Sequence, residues 1–448
     1  MQKIQPKTIK QQQINQRKRG VILTLQGLNR LKTAKLLAEE EENSGNRYTL
    51  EIMSFRTGLA VDTLMKIFTP AKVDRRTIKR CFKAFNLVLE ASDYTYPEEQ
   101  KITAVENTKI PEFPGGQVTL ESTFYLERFP IESRCYQTIF QPGALIRICA
   151  PKQMGKTSLM ARILAKARNH GDRTVALSFQ LADEETFTSL DKFLKWFCGS
   201  VSRELNLSPQ LAAKWSDSIG SKCSATDYFK NYILAEIDTP LTLALDEVNC
   251  VFQNPEVAAE FFALLRAWYE KAKYNNSGSE IWQKLRLVMV HSTEADIPET
   301  VSKFMFNVGL CVDLPEFSQQ QVEDLAKRYG LIMSSQQVQQ LIAFVGGHPY
   351  RVQLALYHLW YQDITLEQLL QTPAHSNQIY SSHLQQHLWN LQQYPELAAA
   401  FTQVLKTSAP VELDARLALK LQGMGLVHLQ ANLAKPSCEL YRQYFVPA

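Results

Sequence analysis

The sequence predicts an α/β protein: a parallel sheet with helices on both faces, an all-α region before it and a helical region after it. Three observations carry this. Five short apolar runs, Ala144–Cys149, Thr174–Ser178, Leu241–Leu245, Leu285–His291 and Leu310–Leu314, alternate with helical spacing, as strands buried on both faces do. The first run passes through a short loop straight into a segment of helical periodicity. Before residue 95 and after Pro315 the apolar spacing is that of helices.

With 448 residues the chain has room for two to four domains. Hydrophobic residues make up 45% and charged residues 21%, an ordinary globular balance. The net charge of +4 is unevenly spread: residues 1–95 hold 18 Lys and Arg against 9 Asp and Glu, so they carry +9 and the rest about −5. A basic N-terminal third suits an anionic partner such as nucleic acid, and equally a solvated basic face. The eight cysteines (81, 135, 149, 198, 223, 250, 311 and 438) show no paired metal-ligand spacing and several sit in apolar stretches, a reducing-compartment pattern. Residues 1–20 are rich in Gln and Lys with no apolar core, and no apolar run approaches the roughly 18 residues of a membrane span. A cytoplasmic protein with no membrane contact is expected.

In order along the chain, 1–20 is expected to be a disordered basic tail. A helix follows from Leu25 to Glu42 with Leu25, Leu28, Leu31, Ala34 and Leu37 in phase. A helix from Tyr48 to Thr57, begun near Thr49 and stopped by Gly58, precedes a second from Val61 to Phe68. Asp74 can cap a further helix to Phe85, with Ile78, Cys81, Phe82 and Phe85 on one face. Helix, glycine turn, helix over Thr49–Phe68 reads as a helix-turn-helix in a domain spanning 21–95. Asp62, Thr63 and Lys66 are its polar candidates for recognition, and Arg75, Arg76, Lys79, Arg80 and Lys83 can neutralise phosphates, so DNA through residues 49–85 is one partner. A protein-binding adaptor is the other reading, because the short recognition helix lacks the Arg, Asn and Gln that read bases best.

Residues 96–120, with Pro97, Pro111, Pro114, Gly115 and Gly116, read as a linker, and 121–315 as the sheet domain. The loop Tyr274–Glu280 is expected to be mobile. Helices Val322–Tyr329, Ser335–Val345 and Pro349–Trp360 make a helical lid over 316–383. The last part, 384–448, combines a helix Asp414–Met424 with strands near Leu426–Leu429 and Glu439–Tyr441, the make-up of a winged helix.

The loop after the first strand is Ala150-Pro151-Lys152-Gln153-Met154-Gly155-Lys156-Thr157, a Walker A pattern with alanine for its first glycine. Its N–H groups and the start of the next helix suit phosphates, Lys156 reaches the β- and γ-phosphates, and Thr157 ligates Mg²⁺. Ser158, which opens the helix, is grouped with this cofactor-binding segment. The run Leu241–Leu245 ends in Asp246-Glu247 about 90 residues on. Asp246 is expected to hold the metal through water and Glu247 to orient or deprotonate the attacking water. The run Leu285–Val290 ends in His291-Ser292-Thr293, where Ser292 or Thr293 is the candidate sensor of the γ-phosphate and His291 is structural. A P-loop NTPase using ATP/ADP and Mg²⁺ is the resulting expectation. ATP is preferred over GTP because no guanine-reading segment follows the sensor strand.

Phe124-Tyr125-Leu126-Glu127-Arg128, the Walker pair, Leu314-Pro315-Glu316-Phe317 and Gly346-Gly347-His348-Pro349-Tyr350 together resemble the bacterial AAA-like domain family, close to the STAND and Orc/Cdc6-like ATPases, over residues 113–448. Residues 20–95 resemble the helix-turn-helix domain of vWA–MoxR-associated proteins. The resemblance implies that Gly347-His348-Pro349 is the G-x-P motif of STAND lids, near base or phosphates, and that Phe124, Tyr125 and Arg128 lie by the adenine. The residues themselves equally fit a turn with Pro at the first helical position. STAND sensor strands often end in Ser-Arg; Ser292-Thr293 departs from this, which leaves the source of any trans-acting arginine open between Arg266, Arg286 and others. A regulatory switch is therefore expected, acting in signalling or conflict response through protein partners or a nucleotide-dependent homo-oligomer. The alternative is a DNA-associated ATPase.

Overall fold

The computed structural model describes residues 20–43, 48–68, 72–95, 110–274, 278–299, 301, 308–371 and 378–446. The expected disorder of 1–19 and the first half of the linker, 96–109, lie outside these. The chain divides into two compact units, Met1–Asn107 and Thr108–Ala448. No described helix is long and apolar enough to cross a membrane.

The first unit holds β1 (Ile22–Leu23), α1 (Leu25–Glu42), α2 (Leu50–Thr57), α3 (Val61–Phe68), α4 (Arg75–Ala84) and β2 (Tyr94–Thr95). Thr24, Thr49 and Asp74 cap their helices as their hydroxyl and carboxylate oxygens allow, and Gly58 ends α2 at φ +62°. Two details depart from the sequence reading. The unit is closed by an antiparallel pair, β1 with β2, so it is not wholly helical. Leu37 is 53% exposed, and Ala38 takes the buried position beyond Leu28 and Leu31. Arg30 explains the closure: its Nη1 donates to both oxygens of the fully buried Asp93 at 2.8 and 2.7 Å, tying α1 to the segment before β2. On α3, Asp62 and Lys66 are exposed and Thr63 half-buried; on α4, Arg75, Arg76, Lys79, Arg80 and Lys83 are all exposed.

The second unit is built on a five-stranded sheet of order β4-β5-β6-β3-β7: β3 (Leu145–Ala150), β4 (Arg173–Ser178), β5 (Leu241–Asp246), β6 (Leu285–Ser292) and β7 (Leu310–Asp313). All pairs are parallel. The three inner strands β5, β6 and β3 are buried on both sides, so their alternate residues join different cores, whereas the edge strands β4 and β7 each keep exposed residues. Ile146, Ile148 and Ala150 pack with α5 (Ile131–Ile139) and α6 (Lys156–Asn169). Leu241, Leu243 and Leu245 face an aromatic-rich core with α7 (Leu190–Glu204) and α8 (Pro255–Lys273). Of the loop expected over Tyr274–Glu280, residues 275–277 lie outside the described residues. Ser279 and Glu280 instead begin a short helix, Ser279–Gln283, pinned by buried Trp282.

Residues 110–120, read as linker, lie against this unit. The Val118 N–H donates to Ser158 Oγ at 2.9 Å, Arg162 donates to the Val118 and Thr119 carbonyls, and Phe113 packs edge-on to Tyr357. Beyond the sheet come α9 (Gln319–Arg328), α10 (Ser335–Val345), α11 (Pro349–Trp360), α12 (Ser381–Gln392), α13 (Pro395–Lys406) and α14 (Ala415–Gly423). A three-stranded antiparallel sheet, β8 (Val411–Glu412), β10 (Leu433–Pro436) and β9 (Val427–Gln430), and α15 (Glu439–Phe445) complete it. The strand expected at Glu439–Tyr441 is thus a helix: the hairpin turns earlier, at Ala431 with φ +55°, and consecutive Leu440 and Tyr441 are buried against α10 and α13. One buried cluster runs from Phe317 through Leu341, Val352, Leu384 and Phe401 to Tyr441, so the regions 316–383 and 384–448 share a core.

Candidate nucleotide site

Strand β3 ends at Ala150, and the chain turns through Pro151–Gly155 into α6. The turn uses two left-handed residues, Gln153 at φ +60° and Gly155 at φ +91°. Gly155 adopts this without strain, and a side chain there would press on Arg128. Ala150, where glycine was expected, is extended and paired with Ser292, so its methyl meets no conformational penalty.

Lys156 is only 8% exposed, and its Nζ donates to the Ala150 and Pro151 carbonyls at 3.0 and 2.8 Å. Burial lowers its pKa, while Glu247, Glu294 and Asp246 pull the other way. Thr157 Oγ1 donates to Asp246 Oδ2 at 3.1 Å, bringing together two hard oxygen donors of the kind Mg²⁺ takes. Burial raises the Asp246 carboxyl, and the Glu247 N–H, donating to Oδ1 at 2.9 Å, opposes that. Glu247 sits at φ +53°, a left-handed conformation that costs on the order of 1–3 kcal/mol and is concentrated at functional sites. Its Oε2 accepts from Asn249 Nδ2 at 3.1 Å, and Asn249 Oδ1 accepts from the Ser292 N–H at 3.3 Å. One amide therefore links the end of β6 to the acid after β5.

Lys152–Ser158 and Glu247 line a cavity of about 630 Å³. The facing wall comes from His348 and Pro349 at the start of α11, His383 and His387 one turn apart on α12, and Tyr441 on α15. His348 Nε2 donates to the Lys152 carbonyl at 3.1 Å, and burial holds this imidazole neutral by pushing its pKa well down. His383 Nδ1 donates to Gln153 Oε1 at 3.2 Å. Its Nε2 then accepts from the Tyr441 hydroxyl at 2.9 Å, whose oxygen accepts from His387 Nε2 at 3.2 Å. Burial also keeps these two rings neutral, His387 falling to about 3.

Several expected residues stand behind the wall. Phe124 packs on Tyr329 with ring centroids 4.4 Å apart. Gly347 lies against the Phe317 backbone, where a side chain would collide. Ser292 Oγ accepts from the Glu294 N–H at 3.3 Å, and Thr293 Oγ1 donates to the Gly423 carbonyl at 2.7 Å. Tyr125 and Arg128 do line the cavity, but Arg128 is buried and donates to the Met154 carbonyl at 2.7 Å, bracing the loop. Arg286 is held by Asp172 at 2.6 Å and Arg266 by Glu270 at 2.8 Å.

The model of the AAA-like domain family matches residues 113–447. This chain belongs to that family. The fold of this AAA-like domain is also that of a solved Walker-type ATPase. A Walker-type ATPase of Pyrococcus abyssi, 11% identical, superposes with a TM-score of 0.51 over 72% of this chain and 96% of that one. Cdc6p from Pyrobaculum aerophilum, 15% identical, gives 0.37 over 71% and 93%, and AMPPCP-bound DnaA from Aquifex aeolicus, also 15% identical, gives 0.36 over 67% and 80%. No curated protein matches the sequence.

Sequence reasoning missed five residues of this AAA-like domain's site. Glu294 follows the sensor strand directly, so its position was legible; its Oε1 accepts the Lys152 N–H at 3.0 Å from the cavity wall. Asn249 is two residues past Glu247 and equally close in sequence. His383 and His387 have the i, i+4 spacing of one helix face, yet nothing local aims that face at residue 153. Tyr441 was placed on a strand, which hid its role as the bridge between them.

Proposed function

We propose that this AAA-like domain protein binds ATP with Mg²⁺, hydrolyses it, and works as a STAND-like regulatory switch in bacterial signalling or conflict response. Nucleotide state would set its binding of protein partners or its self-assembly. One observation carries the reading: the loop that suits phosphates also receives the lid, through His348 to the Lys152 carbonyl and His383 to Gln153. A nucleotide that reorders those contacts changes how the lid rests, and differential contact is what lets a ligand shift a two-state element.

The loop N–H groups and the α6 N-terminus bind phosphate oxygens. Lys156 exchanges its two carbonyl partners for β- and γ-oxygens. Mg²⁺, when bound, would neutralise phosphate charge, and Thr157 and Asp246 are the residues that would hold it. Glu247 orients the attacking water and takes its proton, with Asn249 fixing the carboxylate. Ser292 or Thr293 is the candidate sensor of the γ-phosphate, and Ser292 is linked to the cavity wall through Asn249 and Glu294. Fluorescent-nucleotide binding and phosphate release test this on the wild type and Glu247→Gln. The variant should bind normally and turn over about 10²–10⁴-fold more slowly. Equal turnover in both proteins would remove Glu247 as base, and a wild type that binds no nucleotide would end the reading.

The alternative is a DNA-associated ATPase, a transcription regulator or an Orc/Cdc6-like or transposition-helper protein. The N-terminal unit would serve as its helix-turn-helix and residues 384–448 as a winged helix. The five exposed basic residues of α4 favour it. Nucleotide-dependent DNA binding that weakens steeply across a salt series would support it. No binding at moderate salt would leave the protein-partner switch.

A further inference from the structure

Strand β3 enters the phosphate loop one residue after Cys149, and its neighbour β7 is the sheet's edge. On the face opposite Ile148, Cys149 Sγ lies 3.9 Å from Cys311 Sγ and donates to Asp313 Oδ1 at 2.7 Å. The register explains the meeting: Arg147 pairs with Cys311 and Cys149 with Asp313, so the two thiols are diagonal neighbours on one side of a parallel pair. Cys149 is buried, whereas Cys311 and Asp313 are exposed. None of the nucleotide chemistry uses these three groups.

We propose that Cys149 and Cys311 are a peroxide-oxidisable pair whose disulfide ties the root of the phosphate loop to the edge strand. The division of labour follows from exposure and hydrogen bonding. Cys311 is the thiol a solvent-borne oxidant reaches. The single Cys149 proton faces both Cys311 Sγ at 3.9 Å and Asp313 Oδ1 at 2.7 Å; turned to Cys311 it stabilises the thiolate there, and the charge of Arg147, the register partner of Cys311, helps. Thiolate character and access are what select a cysteine for oxidation. The Cys311 thiolate attacks hydrogen peroxide. An S–O bond forms, the O–O bond breaks, and sulfur is oxidised to the sulfenic acid while the other oxygen leaves as hydroxide and becomes water. Asp313 then takes the Cys149 proton. The Cys149 sulfur attacks the sulfenic sulfur, the S–S bond forms and the S–O bond breaks, and the departing hydroxide recovers the proton as water. Two thiols and one peroxide give one disulfide and two waters. The sulfurs must close from 3.9 Å to about 2.05 Å, and diagonal neighbours stand farther apart at Cα than a relaxed disulfide spans, so closure requires the edge strand β7 to move towards β3.

The consequence rests on the nucleotide reading above. Cys149 adjoins Ala150, whose carbonyl holds Lys156, and β7 runs through Leu314 to Phe317 in the cavity wall. Drawing Cys149 towards β7 disturbs both ends of the pocket, so oxidation should weaken nucleotide binding several-fold and reduction should restore it.

The test uses the full chain in a chelator-containing buffer with graded hydrogen peroxide. It reads intact mass, the peptide map, and fluorescent-nucleotide affinity before and after dithiothreitol. The expected result is loss of two hydrogens, a Cys149–Cys311 crosslinked peptide, and slower crosslinking in Asp313→Asn. Cys311→Ser should lose that crosslink and keep its affinity under peroxide; being an exposed change, it should fold. Peroxide that leaves both cysteines as thiols, or takes Cys311 to sulfinic acid without a crosslink, overturns the proposal whatever the nucleotide data say. A crosslink that forms while affinity stays constant overturns the coupling alone, and a protein that binds no nucleotide even when reduced fails the earlier reading instead.

Discussion

On the loop side of the cavity the polar groups come from two short stretches, Ala150–Thr157 and Asp246–Glu247, and are mostly backbone dipoles and full charges. On the lid side they come from α11, α12 and α15, and are neutral imidazoles and a phenol joined hand to hand. The first wall is suited to holding an anion. The second is suited to registering where the first one stands, because its directional hydrogen bonds end on the Lys152 carbonyl and the Gln153 amide. Charged groups and neutral hydrogen-bonding groups are thus placed on different parts of the chain, and mutations in the two walls should fail differently.

The largest effect should come from what holds the lid wall up. Arg351 is fully buried; it donates to Glu316 Oε1 at 3.4 Å and Cys438 Sγ at 3.1 Å and lies 4.8 Å from the Tyr441 ring centre. Glu316 also accepts the Gly347 N–H at 3.2 Å, just before His348. Glu316→Ala leaves a buried cation without its carboxylate, a loss of about 3–5 kcal/mol. Urea unfolding of the full chain measures this. A loss below about 1 kcal/mol, the range of a surface pair, would mean that Cys438 and Tyr441 suffice.

The loop wall should fail in affinity instead. Lys156→Ala removes a charge-assisted contact of about 1.5–3 kcal/mol, so nucleotide binding should weaken by about 10–100-fold. Because Lys156 itself is buried and its pKa depressed, the fold should not suffer by a similar amount. Titration calorimetry alongside a melting curve separates the two, and a variant that melts early while binding normally would reverse the assignment.

This division also explains what was legible beforehand. A phosphate loop is a local object: Gly155, Lys156 and Thr157 announce it because neighbouring N–H groups must converge, and the strand-loop-helix context is written in the same stretch. The three inner strands were readable because double burial leaves continuous apolar runs. The lid wall is a tertiary object. His348 was flagged only as part of Gly347-His348-Pro349, and Tyr441 was misread because a buried pair of residues, Leu440 and Tyr441, fits a strand or a helix over so short a span. Thr293 was a sensor candidate because it follows a buried strand, but its hydrogen bond to the Gly423 carbonyl of α14 was not readable from that stretch. Ala150 departs from the expected glycine, and the backbone shows that Gln153 and Gly155 carry the positive φ instead.

A smaller change sharpens the comparison within the lid wall. Tyr441→Phe deletes the oxygen between His383 and His387 and leaves a ring nitrogen on each without its partner. Burying such groups unsatisfied costs about 1–3 kcal/mol each, less where water enters. The nucleotide-free protein should lose stability while affinity moves little. An affinity loss as large as that of Lys156→Ala would make Tyr441 a direct nucleotide contact rather than a bridge.

The smallest effect tests the carboxylate that braces the loop wall. Glu294 accepts the Lys152 N–H, its second oxygen is 3.6 Å from Lys152 Nζ, and it lines the cavity beside the lid. Burial is the largest influence on it and raises its carboxyl; Lys152 pulls the other way. The folded chain therefore holds this proton more tightly than the unfolded chain does. Such a group contributes its stability at acid pH and loses it as pH rises through the raised carboxyl value. Glu294→Gln keeps a carbonyl to accept the Lys152 N–H and removes the titration. The variant should match or exceed the wild type at neutral pH, with the gap closing as pH falls into the carboxylate range. Denaturant unfolding across that range gives the slope. A gap that opens in the opposite direction would mean that the attraction of Lys152 outweighs burial, and Glu294 would then be an ion-pair anchor of the loop instead of a buried brace.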